Sequence, residues 1–302
     1  MWQHVVPQMA FSHGASYLLH GLLAISALHL SRLAPERKDS LITSASTHHA
    51  VALPMFRSAL SSISSQNCHA CCAFAALLTV YKWASVDDTG VLFFADTTDQ
   101  NEVHTAEWIQ LLRGAGNIIR FYYQEITAGP LKPIGQWDDA SGISAEANPE
   151  DSARFTTLEQ LWDSAPVLFS AVDIDTLREA LRWLKINYTM ISRPNDMADA
   201  ASAALSWPVQ VPDHFLQMVN RRQPEALILL AHYCLLLNKV EDFWWIRGMS
   251  RRLLQKIHHM LGKQWESWLF WPLQDLVLCE FRNCDGSKAT EGAARGSYGL
   301  KQ

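Results

Sequence analysis

Three cysteines and a histidine fall within five positions, 68 to 72, in the stretch NCHACCAFAALLTVYKW. Thiolates and imidazoles are the usual ligands of zinc and the usual nucleophile–base pair, so this is where chemistry is sought first. If residues 67–83 are helical, Cys68, Cys71 and Cys72 share one face and His69 is rotated off it. One helix face cannot wrap a tetrahedral ion, which takes its ligands from separated pairs, and the next cysteine, Cys234, lies far along the chain. The reading is therefore of small buried side chains, since a free cysteine packs as a small hydrophobe. No metal and no cofactor is expected.

Other candidates carry as little. Asp88-Thr89-Gly90 has the form of an aspartic-protease loop, but it occurs once and without a β context. DIDT at 173–176 resembles the acidic motif of protonation-initiated terpene cyclases without its last aspartate. RGAGNI places two glycines inside a helical pattern with no strand before them, so it is not a phosphate loop. His48-His49 and His258-His259 are adjacent pairs that point to different helix faces, and no serine nucleophile elbow is present. His232 differs: between the Glu and Asn at its two ends, it is the only strongly polar side chain in EALILLAHYCLLLN. A buried imidazole must be hydrogen-bonded or it costs about 1–3 kcal/mol. Either a neighbouring helix satisfies it, or it offers one polar handle to a ligand hydroxyl inside an apolar cavity.

The elements that position these residues are helical throughout, since no apolar run shows period-2 alternation. Residues 17–33 are apolar nearly all round, with Ala24, Ala27 and Ser31 at helical spacing, and predict a buried helix ended by Pro35. A second helix is expected over 40–63, kinked or split at Pro54, and a third from about Asn67. Residues 103–126 put Trp108, Leu111, Leu112, Ala115, Ile118, Ile119, Tyr122 and Ile126 on one stripe. Pro224 suits the first turn of a central helix. After Asn238 a further helix carries Ile246, Met249, Leu253, Ile257 and Met260 inward, with Arg247, Arg251, Gln255 and His258 outward and Gly262 as its stop. The fold class is all-α: one multi-helix domain over 1–276 with an apolar central pocket. Irregular connections are expected at about 128–154 and 192–213, and a flexible tail over 277–302.

Composition bounds the function. Hydrophobic residues make up 49% and charged ones 18%, and the net charge is −5. That balance argues against direct binding of nucleic acid by this chain, which needs clustered Lys and Arg. The twelve tryptophans predict aromatic-lined interior space. The apolar run at 17–30 is interrupted by His20, Ser26 and His29 and is short for a membrane span. No secretory signal is evident, and the uneven cysteines do not form a disulfide framework. The expected location is cytoplasm, nucleus or both.

Six segments in order, LLHGLLAISALHLS, LRGAGNII, GPLKPIG, RRQPEALILLAHYCLLL, FWWIRGM and WLFWP, resemble the C-terminal regulatory domain of fungal zinc-cluster transcription factors of the sterol uptake control type. The resemblance runs from Trp2 to Pro272. It implies an all-helical, ligand-sensing domain whose apolar pocket takes a sterol or similar lipid or terpenoid, and whose occupancy governs passage between cytosol and nucleus. Family members carry ahead of it a six-cysteine module around two zinc ions. Here only Cys68-x-x-Cys71 has a matching interval and no basic cluster accompanies it, so the expectation is a fragment, a truncated chain or a free-standing relative that acts without DNA binding. The candidate wall is Phe74, Leu77, Tyr81, Tyr233, Leu236, Trp244, Trp245, Met249 and Leu253, with His232 as polar contact and Gly248 permitting close helix packing. The alternative is an enzyme that reuses the pocket, a cyclase or isomerase of an apolar terpenoid or polyketide-type substrate. Homodimerisation, or pairing with a full-length zinc-cluster factor, is the expected protein partnership.

Overall fold

The computed structural model describes residues 2–12, 14–86, 94, 107–132, 149–163, 170–192 and 197–276. All regular structure among them is helical. In chain order the helices are α1 (Val5–Ala10), α2 (Ser16–Leu33), α3 (Lys38–Ser61), α4 (Cys68–Ser85), α5 (Glu107–Phe121), α6 (Tyr123–Ala128), α7 (Pro149–Asp163), α8 (Ala171–Ile191), α9 (Met197–Gln210), α10 (Asp213–Asn220), α11 (Pro224–Asn238), α12 (Met249–Leu261) and α13 (266–276).

Two hydrophobic cores share these helices. The smaller gathers Val6, Tyr17, Leu18, Phe56, Cys71, Cys72, Phe74, Leu78, Ile118 and Ile126. The larger surrounds α11 and takes in Trp83, Trp162, Trp207, Trp245 and Trp271. Helices α2 to α5 serve both, one at each end: α4, for instance, gives Phe74 to the first and Trp83 to the second.

Several expectations change in the folded chain. Helix α3 runs unsplit through Pro54; a proline removes only one i→i−4 donor, and packing holds the rest. Helix α2 is buried on one side only, through Tyr17, Gly21, Ala24, Leu28 and Ser31, while Leu23, Leu30 and Leu33 stand exposed. The connection expected over 192–213 contains α9, which carries Pro208 in its last turn, and α7 begins at Pro149 inside the connection expected over 128–154. Ile246 lies fully buried in the turns before α12 rather than within that helix. Asp88-Thr89-Gly90, the side chain of Trp108 and the tail over 277–302 lie outside the described residues.

Gly248 has a different role from the one its motif suggested. It holds the left-handed conformation (φ 72°) at the start of α12, and a β-carbon there would meet only Arg252 Nη1, at 3.9 Å. The sequence needs glycine here for its backbone angle, not for close approach. Close approach falls to other glycines. A β-carbon on Gly21 would sit 2.8 Å from the Phe74 ring, one on Gly116 3.2 Å from Val209, and one on Gly129 2.9 Å from the Glu125 carbonyl oxygen. Gly262 ends α12 at φ 75°, in line with its position after the last periodic residue.

Candidate functional site

Helix α11 is buried at every position from Glu225 to Leu237. Its sequence offers no polar stripe, so it can be stable only if neighbours cover it all round. Helices α8, α10 and α12 pack against it. Within it, His232 is satisfied by its own helix: Nδ1 lies 2.9 Å from the Ile228 carbonyl oxygen. A carbonyl can only accept, so Nδ1 carries the hydrogen and Nε2 is the acceptor nitrogen of a neutral ring. Burial lowers the imidazole pKa to about 4, against the smaller opposing effect of the Ile228 bond, so the ring stays neutral at physiological pH.

The ring of His232 meets Trp271 of α13 edge-on, at 5.5 Å between centroids. Trp271 is also met edgewise by Phe155 and Tyr188, at 5.1 and 5.7 Å, and carries the Arg154 guanidinium over its face at 5.0 Å. Its indole N–H donates to Asp275. One residue further along α11, Tyr233 stacks on Trp207 at 4.7 Å, and Trp207 donates its N–H to the Ala180 carbonyl at 2.9 Å. A buried amide set lies beside them: Asn187 donates to the side chain of Gln210 at 2.7 Å and accepts from Ser206. This set ties α8 to α9.

The candidate residues divide between regions. Tyr233, Leu236, Trp245, Met249 and Leu253 are buried with His232 in the larger core, and Tyr81 and Trp244 pack at its edge. Phe74 and Leu77 belong to the other core, enclosed by Tyr17, Phe56 and Gly21. Helical spacing along α4 alone cannot tell its two ends apart. Trp244 is held at the edge by three contacts: its ring stacks on His29 at 4.8 Å and lies under Arg32 at 5.1 Å, and its carbonyl accepts from Arg32 at 2.7 Å. Trp271, Trp207, Tyr188 and Phe155 were not among the candidates. Their signal in the sequence was only the tryptophan abundance, because each comes from a different helix.

The cysteine cluster is placed by packing. Cys71 meets the Tyr17 hydroxyl at 3.4 Å, Cys68 donates to the Ser65 carbonyl, and His69 donates from Nε2 to the Glu125 carbonyl at 3.1 Å. Burial pushes all three thiols up in pKa, Cys72 to about 12, so they stay protonated and are poor nucleophiles. Among the described residues no three His, Cys, Asp or Glu side chains converge as a metal site would require. The acidic DIDT stretch is used at the start of α8. Asp173 completes a capping box with Ser170 and accepts from His214 at 2.7 Å, which holds its carboxyl below the usual range; Asp175 is exposed beside Arg178. Neither aspartate is placed to protonate an enclosed substrate. No helix among the described residues is long and apolar enough to cross a membrane.

Residues 1–148 match the family described as "Fungal specific transcription factor domain". The chain is 26% identical over 293 residues to a Zn(2)-C6 fungal-type transcription factor of Gibberella zeae, covering 92% of this chain and 57% of that protein. It is 24% identical to Sterol uptake control protein 2 of Candida albicans, covering 87% of this chain and 37% of the relative. For the protein of the same name in Saccharomyces cerevisiae the identity is 25%, and the shares are 87% and 28%. The chain thus spans from about a quarter to somewhat over half the length of these relatives. No solved structure matches it. Residues 1–148 thus match the fungal specific transcription factor domain, and over most of its length the chain is similar to fungal zinc-cluster factors.

Proposed function

We propose that this chain is a ligand-sensing regulatory domain that receives a sterol or a similar apolar lipid or terpenoid against α11, in the larger core. The observation that carries the reading is His232, a neutral imidazole whose hydrogen is committed to Ile228, which leaves Nε2 to accept from a hydroxyl beside Trp271. A sterol or terpenoid alcohol has that form: a rigid apolar body with one donor. Burying the body gains about 25 cal/mol per Å² of apolar surface removed from water, and the hydroxyl fixes orientation. The name of two relatives, Sterol uptake control protein 2, supports the ligand class. Ligand occupancy then alters how the helices around α11 pack, and through them the location or activity of the factor. The site residues in this reading are His232, Tyr233, Leu236, Trp245, Met249 and Leu253.

The test is equilibrium binding of a fluorescent sterol, followed by energy transfer from the tryptophans, together with ligand-dependent thermal shifts. Saturable binding is expected, and His232→Phe should weaken it by about tenfold, the worth of one net hydrogen bond. An O-methylated sterol should bind the native chain as weakly as the free alcohol binds the variant. Absence of saturable binding by sterols, triterpenoids and fatty alcohols alike would sink the reading.

A further inference from the structure

We infer that Ser40, at the corner between α2 and α3, is the target of a serine kinase that recognises two consecutive cations ahead of its substrate hydroxyl. This inference is independent of the ligand reading. Three adjacent pairs of basic residues occur in the chain: Arg37-Lys38, Arg221-Arg222 and Arg251-Arg252. Three residues after the first member of each pair stand Ser40, Pro224 and Leu254. Only Ser40 can accept a phosphoryl group. A kinase of this class sets acidic pockets against cations two and three residues before the hydroxyl, so charge pattern and access together choose the substrate.

The fold supplies the access. Every residue from Pro35 to Ser40 is exposed. Pro35–Arg37 form one 3-10 turn, α3 begins at Lys38, and no side chain caps that start. Such short turns and helix ends are the parts of a fold that open most readily. The Ser40 hydroxyl donates to the Arg37 carbonyl oxygen at 2.9 Å, a bond at the surface. Leu41 is the first residue of α3 to be buried, so presenting residues 36–40 to a kinase draws nothing out of the core.

A single cation stands three residues before Ser85, Thr157 and Ser250 as well. Ser250 is fully buried and donates to Glu241. Arg154, the cation ahead of Thr157, lies over the Trp271 ring. Ser85 is followed by Asp87 and Asp88, which an acidic pocket repels. None of the three matches the pair and the exposure at Ser40.

The reaction is a phosphoryl transfer. Ser40 Oγ bonds to the γ-phosphorus of ATP, the bond from that phosphorus to the departing ADP oxygen breaks, and the hydroxyl proton passes to the carboxylate base of the kinase. From Arg32 to Ser40 three cations stand against two carboxylates. A phosphoserine carries about two negative charges and so reverses the sign of this corner. Only one exposed hydrogen bond is lost, and the modification alters a surface, not the core.

The experiment is incubation of the folded full chain with magnesium-ATP and the catalytic subunit of a cyclic-AMP-dependent kinase as the basophilic probe, followed by mass spectrometry of intact protein and peptides. A single phosphate on Ser40 is expected, and none in Ser40→Ala. Arg37→Ala should lower kcat/KM about a hundredfold and Lys38→Ala about tenfold. All three substitutions fall at exposed positions, so the variants should keep the native circular dichroism. The phosphorylated chain should melt within about 3 °C of the unmodified one. A folded chain that takes up no label, while the urea-unfolded chain is labelled on Ser40, overturns the inference. So does label that persists in Ser40→Ala or is indifferent to Arg37→Ala.

Discussion

The two cores are filled with different material. Around α4 the space is occupied by Cys68, Cys71, Cys72, Ala73 and Ala75, and by backbone brought close through Gly21 and Gly129. Around α11 it is occupied by five buried tryptophans and a continuous run of Leu and Ile. The first also packs the rings of Tyr17, Phe56 and Phe74 together, but the small residues of α4 let its helices approach closely, so backbone position sets much of its shape. In the second, large rings fill the space, so its shape is set by side chains that a substitution or a ligand can rearrange. Their ionisable groups differ as well: three clustered thiols on one side, and on the other a buried imidazole two residues from the single thiol of Cys234. The proposed ligand site belongs to the larger core.

The widest separation between them should come from truncating a ring. Trp207→Ala removes a fully buried indole that stacks on Tyr233 and bonds to Ala180; it should cost about 3–5 kcal/mol in urea unfolding. A loss under 1 kcal/mol would mean that this core is not packed as described.

Acid should act next, through His232. Its folded pKa, about 4, lies below the ordinary 6.5. The unfolded chain therefore takes up the proton first, and stability falls as pH drops from 6.5 to 4. The contribution stands in full above 6.5, is gone below 4, and amounts to about 3 kcal/mol. His232→Phe should flatten this limb of the stability–pH curve. An unchanged slope would place the pH dependence elsewhere.

Alkali should act through the buried thiols, and Cys72 of the smaller core is the one to isolate. Cys72 is raised from 9.0 to about 12, so the unfolded chain loses the proton first, and stability declines from pH 9 upward. The loss expected from this group is about 2 kcal/mol by pH 10.5, and the alkaline decline of Cys72→Ala, taken from that variant's own neutral value, should be smaller by that amount.

The finest distinction lies among glycines. Gly21→Ala would drive a methyl into the Phe74 ring, which Tyr17 and Phe56 hold in place. It should destabilise by about 1–2 kcal/mol, in spite of alanine's better helix propensity. Gly114→Ala meets nothing within 4 Å and should stabilise by about 0.5–1 kcal/mol. Melting curves of the two variants that moved in the same direction would contradict this account of close approach.

Some of this was legible from residue order. The periodicity of α2, α4, α11 and α12 fixed their existence, Pro224 the start of α11 and Gly262 the end of α12, because each of those signals is local. The absence of a polar stripe in PEALILLAHYCLLLN already required that helix to be central. Other assignments failed where two local readings looked alike. A glycine in a helical motif suits either close packing or a left-handed turn, and Gly248 proved to be the turn. A proline-rich stretch suits either a loop or a helix with proline near its end, and 197–210 proved to be helix.

What the sequence by itself determined is the all-helical class, the central position of α11 and the poor fit of the 68–72 cluster to a metal, since these follow from period, polarity and the reach of one helix face. The tertiary structure alone decided that Phe74 and Leu77 lie in a different core from His232. It also decided that Ile228 sets the tautomer of His232, and that Trp271, itself met by Tyr188 and Phe155, packs against it. The physical reason is that such neighbours come from helices up to a hundred residues apart, and side-chain packing between helices leaves no mark in the spacing along either one.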